Sequence, residues 1–73
     1  MTDTDYFIRG LAMAEQLTGI TKVQACEKAG VNVTTLRRFL NRENNILMSN
    51  LSNICNVGYG YSIAEILALG KKP

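Results

Sequence analysis

Thr34, Arg37, Arg38 and Asn41 fall at i, i+3, i+4 and i+7, a spacing that brings four side chains onto one face of an α-helix. All four hydrogen-bond readily, and Arg, Thr and Asn are types that reach base edges or phosphates. Leu36, Phe39 and Leu40 share the opposite face, so one side of this short helix is built to pack and the other to meet a polar partner. An α-helix fits the major groove of B-DNA, which makes base readout the chemistry this face suits.

The preceding residues would hold such a helix in place. Thr21 and Gln24 make the Thr-x-x-Gln form of a capping box, which predicts a helix over residues 22–29. Gly30 stops it, and Asn32 caps a second helix beginning near Val33 in a changed direction. The pattern is two short helices joined at a tight turn.

Residues 21–41 resemble the helix-turn-helix of the phage lambda repressor and Cro-like DNA-binding family. The resemblance rests on a small residue early in the first helix at Cys26, the turn glycine Gly30, and apolar residues at Val31, Leu36 and Phe39. It extends more weakly from Phe7 to Leu67 as a five-helix domain, with Leu51, Ile54, Ile63, Ile66 and Leu67 at later core positions. Ala25 is smaller than the aliphatic residue usual there, and residues 42–46 lack the glycine that often follows the second helix.

The resemblance implies that Asn32, Val33, Thr34, Arg37, Arg38 and Asn41 approach bases, Val33 being equally suited to packing at the helix start. Arg37 or Arg38 would take a guanine bidentately, and Val33 or the Thr34 methyl would touch a thymine methyl. Thr21, Lys22, Gln24 and Arg42 are the phosphate candidates, because a helix N-terminus directs free N–H groups at an anion; Asn44 and Asn45 would assist from the loop.

Charge supports this placement. The net charge is only +2, but between Thr21 and Arg42 the cations Lys22, Lys28, Arg37, Arg38 and Arg42 face Glu27 alone, leaving +4 there and −2 elsewhere.

Around this motif the sequence predicts an all-α, compact bundle of about five short helices forming one domain of 73 residues, with no linker and no repeat. At this size folding buries only about 60% of the chain's surface, so stability should be modest. Thr2 or Asp3 caps a first helix to about Leu17, with Phe7, Leu11, Ala14 and Leu17 as its buried stripe. Gly10 interrupts good helix formers, either by chance or to admit another helix, and Gly19 ends the element before Ile20, a hydrophobic staple to the Thr21 cap. After the polar loop 42–45 comes a core helix over about 47–57, with Leu47, Leu51, Ile54 and Cys55 inward and Asn50, Asn53 and Asn56 in solvent. Gly58 and Gly60 break it around Tyr59; Ser62 and Glu65 form another capping box, and a last helix covers about 62–69, closed by Gly70 with a frayed tail of Lys71, Lys72 and Pro73.

Much chemistry is excluded. The chain has no histidine, its two cysteines cannot make a structural zinc site alone, its acids are scattered and no phosphate-binding glycine loop occurs, so neither an enzyme nor a cofactor or metal is expected. Cys26 and Cys55 lie on predicted core faces as free thiols. The acidic start and the absence of a run of about 18 apolar residues predict a cytoplasmic protein without a membrane partner.

The function these features favour is a sequence-specific double-stranded-DNA-binding regulator, a small phage-type or bacterial repressor that occludes a pseudo-palindromic operator. A chain this short leaves no room for a small-molecule effector domain. Tyr61, Ile63, Ile66, Leu67 and Leu69 exceed the apolar surface one terminal helix should bury, which predicts a homodimer through them, the alternative being that they complete the intramolecular core. The rival class is a protein-protein interaction module, an inhibitor or adaptor on the same scaffold. Single-stranded RNA binding is remote, since the basic stretch holds only Phe39 as an aromatic and that residue is predicted buried.

Overall fold

A computed structural model describes residues 2–72. Among them are five α-helices and no strand, arranged as α1 (Asp3–Thr18), α2 (Lys22–Ala29), α3 (Val33–Leu40), α4 (Met48–Asn53) and α5 (Ile63–Lys71). The all-α bundle expected from the sequence is the observed architecture.

Local signals set most boundaries. Thr2 caps α1: its hydroxyl accepts from the Asp5 N–H and Asp5 Oδ2 accepts from the Thr2 N–H, an acidic variant of the capping box. Thr21 with Gln24 and Ser62 with Glu65 form the two capping boxes the sequence predicts. Gly19 and Gly30 end α1 and α2 in the left-handed conformation, φ 73° and 71°.

α1 and α5 make the most extensive pairing in the molecule, and two glycines allow it. A Cβ on Gly10 would lie 1.9 Å from the Ile66 carbonyl oxygen, and one on Gly70 would lie 1.6 Å from that of Tyr6. Close approach of another helix is therefore the reason for Gly10. Gly70 does not close α5 as the sequence suggested; it lies inside the helix, buried against α1. Lys71, expected to fray, is the last helical residue, with its ammonium 5.8 Å from the Tyr6 ring centre and 4.0 Å from Asp3 Oδ1; of the expected tail, Pro73 lies outside the described residues.

α4 runs without a break into a π-helical stretch, Ile54–Tyr59, ended by Gly60 at φ 78°. There the Gly60 N–H reaches five residues back to the Cys55 carbonyl. Gly58 is thus no helix breaker. It is buried against α2, where a Cβ would sit 2.8 Å from the Ala25 Cβ and 2.9 Å from the Ala25 oxygen. The small residue at position 25 is matched by this glycine, so the two backbones close the space a larger side chain would fill.

The core is Phe7, Leu11 and Ala14 of α1, Ala25 and Cys26 of α2, Leu36 of α3, Leu51, Ile54, Cys55 and Tyr59 of α4 and its extension, and Ile66 of α5. Both cysteines are buried and free. Leu17 and Leu47, expected inside, are 63% and 70% exposed. Leu17 lies in the last turn of α1, and Leu47 is the residue that precedes α4 rather than part of its buried face. No described helix is long and apolar enough to cross a membrane.

Gly70→Ala should destabilise the fold by about 3 kcal/mol, since the added methyl meets backbone and one helix must shift. Gly19→Ala, whose Cβ meets nothing within 4 Å, should cost about 1 kcal/mol for its left-handed backbone. Urea unfolding of the two variants checks the order, and equal losses would show that α1 and α5 are not in backbone contact.

Candidate nucleic-acid interface

α3 is positioned from both ends. At its start Asn32 Oδ1 accepts the Thr34 N–H at 2.8 Å, which occupies the side-chain oxygen of a base-contact candidate in capping. The turn to α2 takes only residues 30–32, with the Val31 N–H donating to the Cys26 carbonyl at 3.0 Å. Leu36 is wholly buried, and Phe39 meets Phe7 edge-on, ring centres 6.4 Å apart at 70°.

This packing turns the opposite face outward. Thr34, Arg37, Arg38 and Asn41 are all exposed, and no acid pairs with either arginine among the described residues. Val33 is half-buried and packs against the core, so its role at the helix start is partly structural.

The flanking candidates are more committed. Thr21 and Gln24 are exposed, but each uses its side-chain oxygen on the other's backbone N–H. Lys22 Nζ lies 2.9 Å from Glu15 Oε1, and the Arg42 guanidinium pairs with Asp5. Neither partner acid was visible from the sequence, because only the packing of α1 brings them near; no helical spacing links residues 5 and 42. Asn44 and Asn45 are exposed in the loop beyond α3.

That loop starts without glycine. Arg42 itself takes the left-handed conformation, φ 62°, while its N–H donates to the Phe39 carbonyl and the Glu43 N–H to that of Arg38. An arginine there does what glycine usually does at a helix end, against a local steric cost of about 1–2 kcal/mol.

The proposed pairing residues divide. Ile66 is fully buried in the intramolecular core against α1 and cannot belong to a surface; the helix face it occupies is claimed by Gly10. Ile63 and Leu67 line a shallow apolar groove with Phe7, Phe39, Ile46, Met48 and Leu51. Tyr61 and Leu69 border a separate depression with Ala68. Sequence reasoning missed Met48, 67% exposed beside the groove; with Leu47 it makes two large apolar side chains in solvent.

The ionisable groups buried in the core are held neutral. Burial pushes the Cys26 thiol above its usual value, with nearby Arg37 opposing, and pushes Cys55 up to about 11. Burial first, then the charges of Glu15, Cys26 and Cys55, push Tyr59 up to about 12. The Tyr59 hydroxyl has no hydrogen-bond partner among the described residues. Among those residues no cluster of His, Cys, Asp or Glu could hold a metal.

No protein-family model, curated protein or solved structure matches the chain.

These buried groups make stability depend on alkaline pH. Cys55 is protonated when folded up to about 11 but ionises from 9.0 when unfolded, and Tyr59 behaves likewise from 10.0 to about 12. The unfolded state then holds fewer protons, so stability is full below pH 9 and falls above it by up to about 1.4 kcal/mol per pH unit for each group. Urea midpoints from pH 7 to 11 should show this descent, and Tyr59→Phe should flatten it above pH 10; a level curve would mean these groups are not buried.

Proposed function

We propose that this chain is a small sequence-specific double-stranded-DNA-binding regulator, a repressor that inserts α3 into the major groove and occludes its operator. The observation that carries the reading is the outward face of α3, where Thr34, Arg37, Arg38 and Asn41 are exposed together and both arginines lack an acidic partner among the described residues. Eight residues span about 12 Å, roughly the width of the groove. The start of α2 would face the phosphate backbone, offering its first-turn amides and Lys22, whose ion pair with Glu15 is partly exposed and open to exchange.

One such helix meets few base pairs, which supports use of the protein as a homodimer on a two-fold operator. The apolar groove lined by Ile63, Leu67 and exposed Met48 is the better candidate contact, with Tyr61 and Leu69 at a second, smaller depression. The same groove favours the alternative of an adaptor that docks a different protein, and the two part on whether the pure chain self-associates and selects DNA.

Selection from random duplexes should yield a preferred site. Arg37→Ala and Arg38→Ala should then weaken binding to it, by about 1–3 kcal/mol for whichever reads a base bidentately, with little change in melting temperature. Unchanged affinity in both variants would refute the assignment of this face.

Sedimentation at micromolar concentration should show a dimer that Leu67→Glu and Met48→Glu disrupt and Leu69→Glu weakens less. A wild type that is monomeric both free and on DNA would remove the pairing from the mechanism.

A further inference from the structure

We propose that the Asp5–Arg42 ion pair is a latch that fixes the orientation of α3 on the bundle, and through it the base preference of the exposed face. The inference rests on the DNA-binding reading. It makes Asp5 and Arg42 positioning residues rather than ligands of DNA.

α3 is gripped unevenly. Its first turns are held by the Asn32 cap, the Gly30 turn and fully buried Leu36. Its last turn is only half-buried, with Phe39 edge-on to Phe7, and beyond it Arg42 is the residue that reaches back to α1. Phe39 and Leu40 pack on the core, but residues 41–45 that follow are all exposed, and beside them the surface opens into a cleft bordered by Thr2, Thr4, Glu43 and Asn45.

Arg42 is the only non-glycine residue with positive φ among those described. Glycine would take φ 62° with less strain, so the side chain must supply what the backbone does not need. That something is the guanidinium, which donates to Asp5 Oδ1. Asp5 is itself held firmly: its other oxygen accepts the Thr2 N–H at 2.8 Å and the Thr2 hydroxyl at 3.0 Å, within the capping box of α1. The latch therefore ties the free end of α3 to the element whose own place is fixed by Gly10 and Gly70.

The consequence for recognition is geometric. Bidentate readout tolerates only small errors in donor position, and a helix released at one end swings the side chains near that end furthest. Arg37, Arg38 and Asn41 lie there; Thr34 lies at the anchored end. Because Asp5 is anchored by Thr2, the guanidinium it holds stays against α1, and the latch removes Arg42 from the phosphate contacts.

Arg42→Gly separates the roles, because it relaxes the backbone while deleting the guanidinium. Expected are a melting temperature at or above that of wild type, a fall of about tenfold or more in the ratio of specific to random-duplex affinity, an unchanged salt slope, and faster amide exchange at Asn41 and Glu43. Asp5→Asn should reproduce the loss of selectivity, while Arg42→Lys, which keeps a cation within reach of Asp5, should retain most of it. A selective wild type with an equally selective Arg42→Gly overturns the latch, as does a salt slope lowered by about one unit at unchanged selectivity, which would make Arg42 a phosphate ligand. A wild type with no preference among duplexes overturns the DNA-binding reading and the latch's role together.

Discussion

At Gly10 and Gly70 the first and last helices meet backbone to backbone, and neither site has room for a single added carbon. Their approach sets the distance between α1 and α5, which sets the depth at which Leu11 and Ile66 lie, and both are fully buried. In a chain of 73 residues there is little core to spare, so close approach replaces bulk: the bundle gains dispersion contacts by bringing main chains together rather than by adding large side chains. The same device recurs where Gly58 meets Ala25, and there it seats α2 on the π-helical stretch.

α3 stands outside this frame. Its only extensive partner is α2, and it contributes one fully buried residue, Leu36. A helix held so lightly leaves one face, with Thr34, Arg37 and Arg38, open to solvent, but its direction then depends on contacts at its two ends. The turn at Gly30 governs one end and α1, through Phe39 and Arg42, governs the other.

Much of this was legible in the sequence wherever the signal was local. Thr21 with Gln24, Gly30, Asn32 and Ser62 with Glu65 mark boundaries because capping acts over three or four residues, and the polar face of α3 follows from a period of 3.6. What failed was tertiary. Gly58 and Gly70 read as helix ends because glycine has low helix propensity, yet both lie within helical stretches where a neighbouring backbone leaves no other choice. Tyr59 was hidden because a π-helical stretch shifts the register and turns inward a residue that follows a supposed break. Ile66 suits a core position by the resemblance yet also counts toward a pairing surface, since apolar residues on a terminal helix look surplus until the glycine opposite is known. The acids paired with Lys22 and Arg42 were beyond reach for the same reason: their proximity is a product of the fold.

The pairing of α1 with α5 also governs the order in which the chain can assemble. Residues 19–62 intervene between the two helices, so their contact closes the longest loop in the molecule and carries its largest closure entropy. The turn between α2 and α3, by contrast, spans three residues and needs no distant partner. Local pairing precedes non-local pairing when the entropy of closure outweighs the early gain, which places the α2–α3 pair among the first parts to form and the glycine-lined seam among the last. α3 would thus exist, loosely, before the frame that gives it a direction; α5, far from it in sequence, completes the bundle against which its last turn is set.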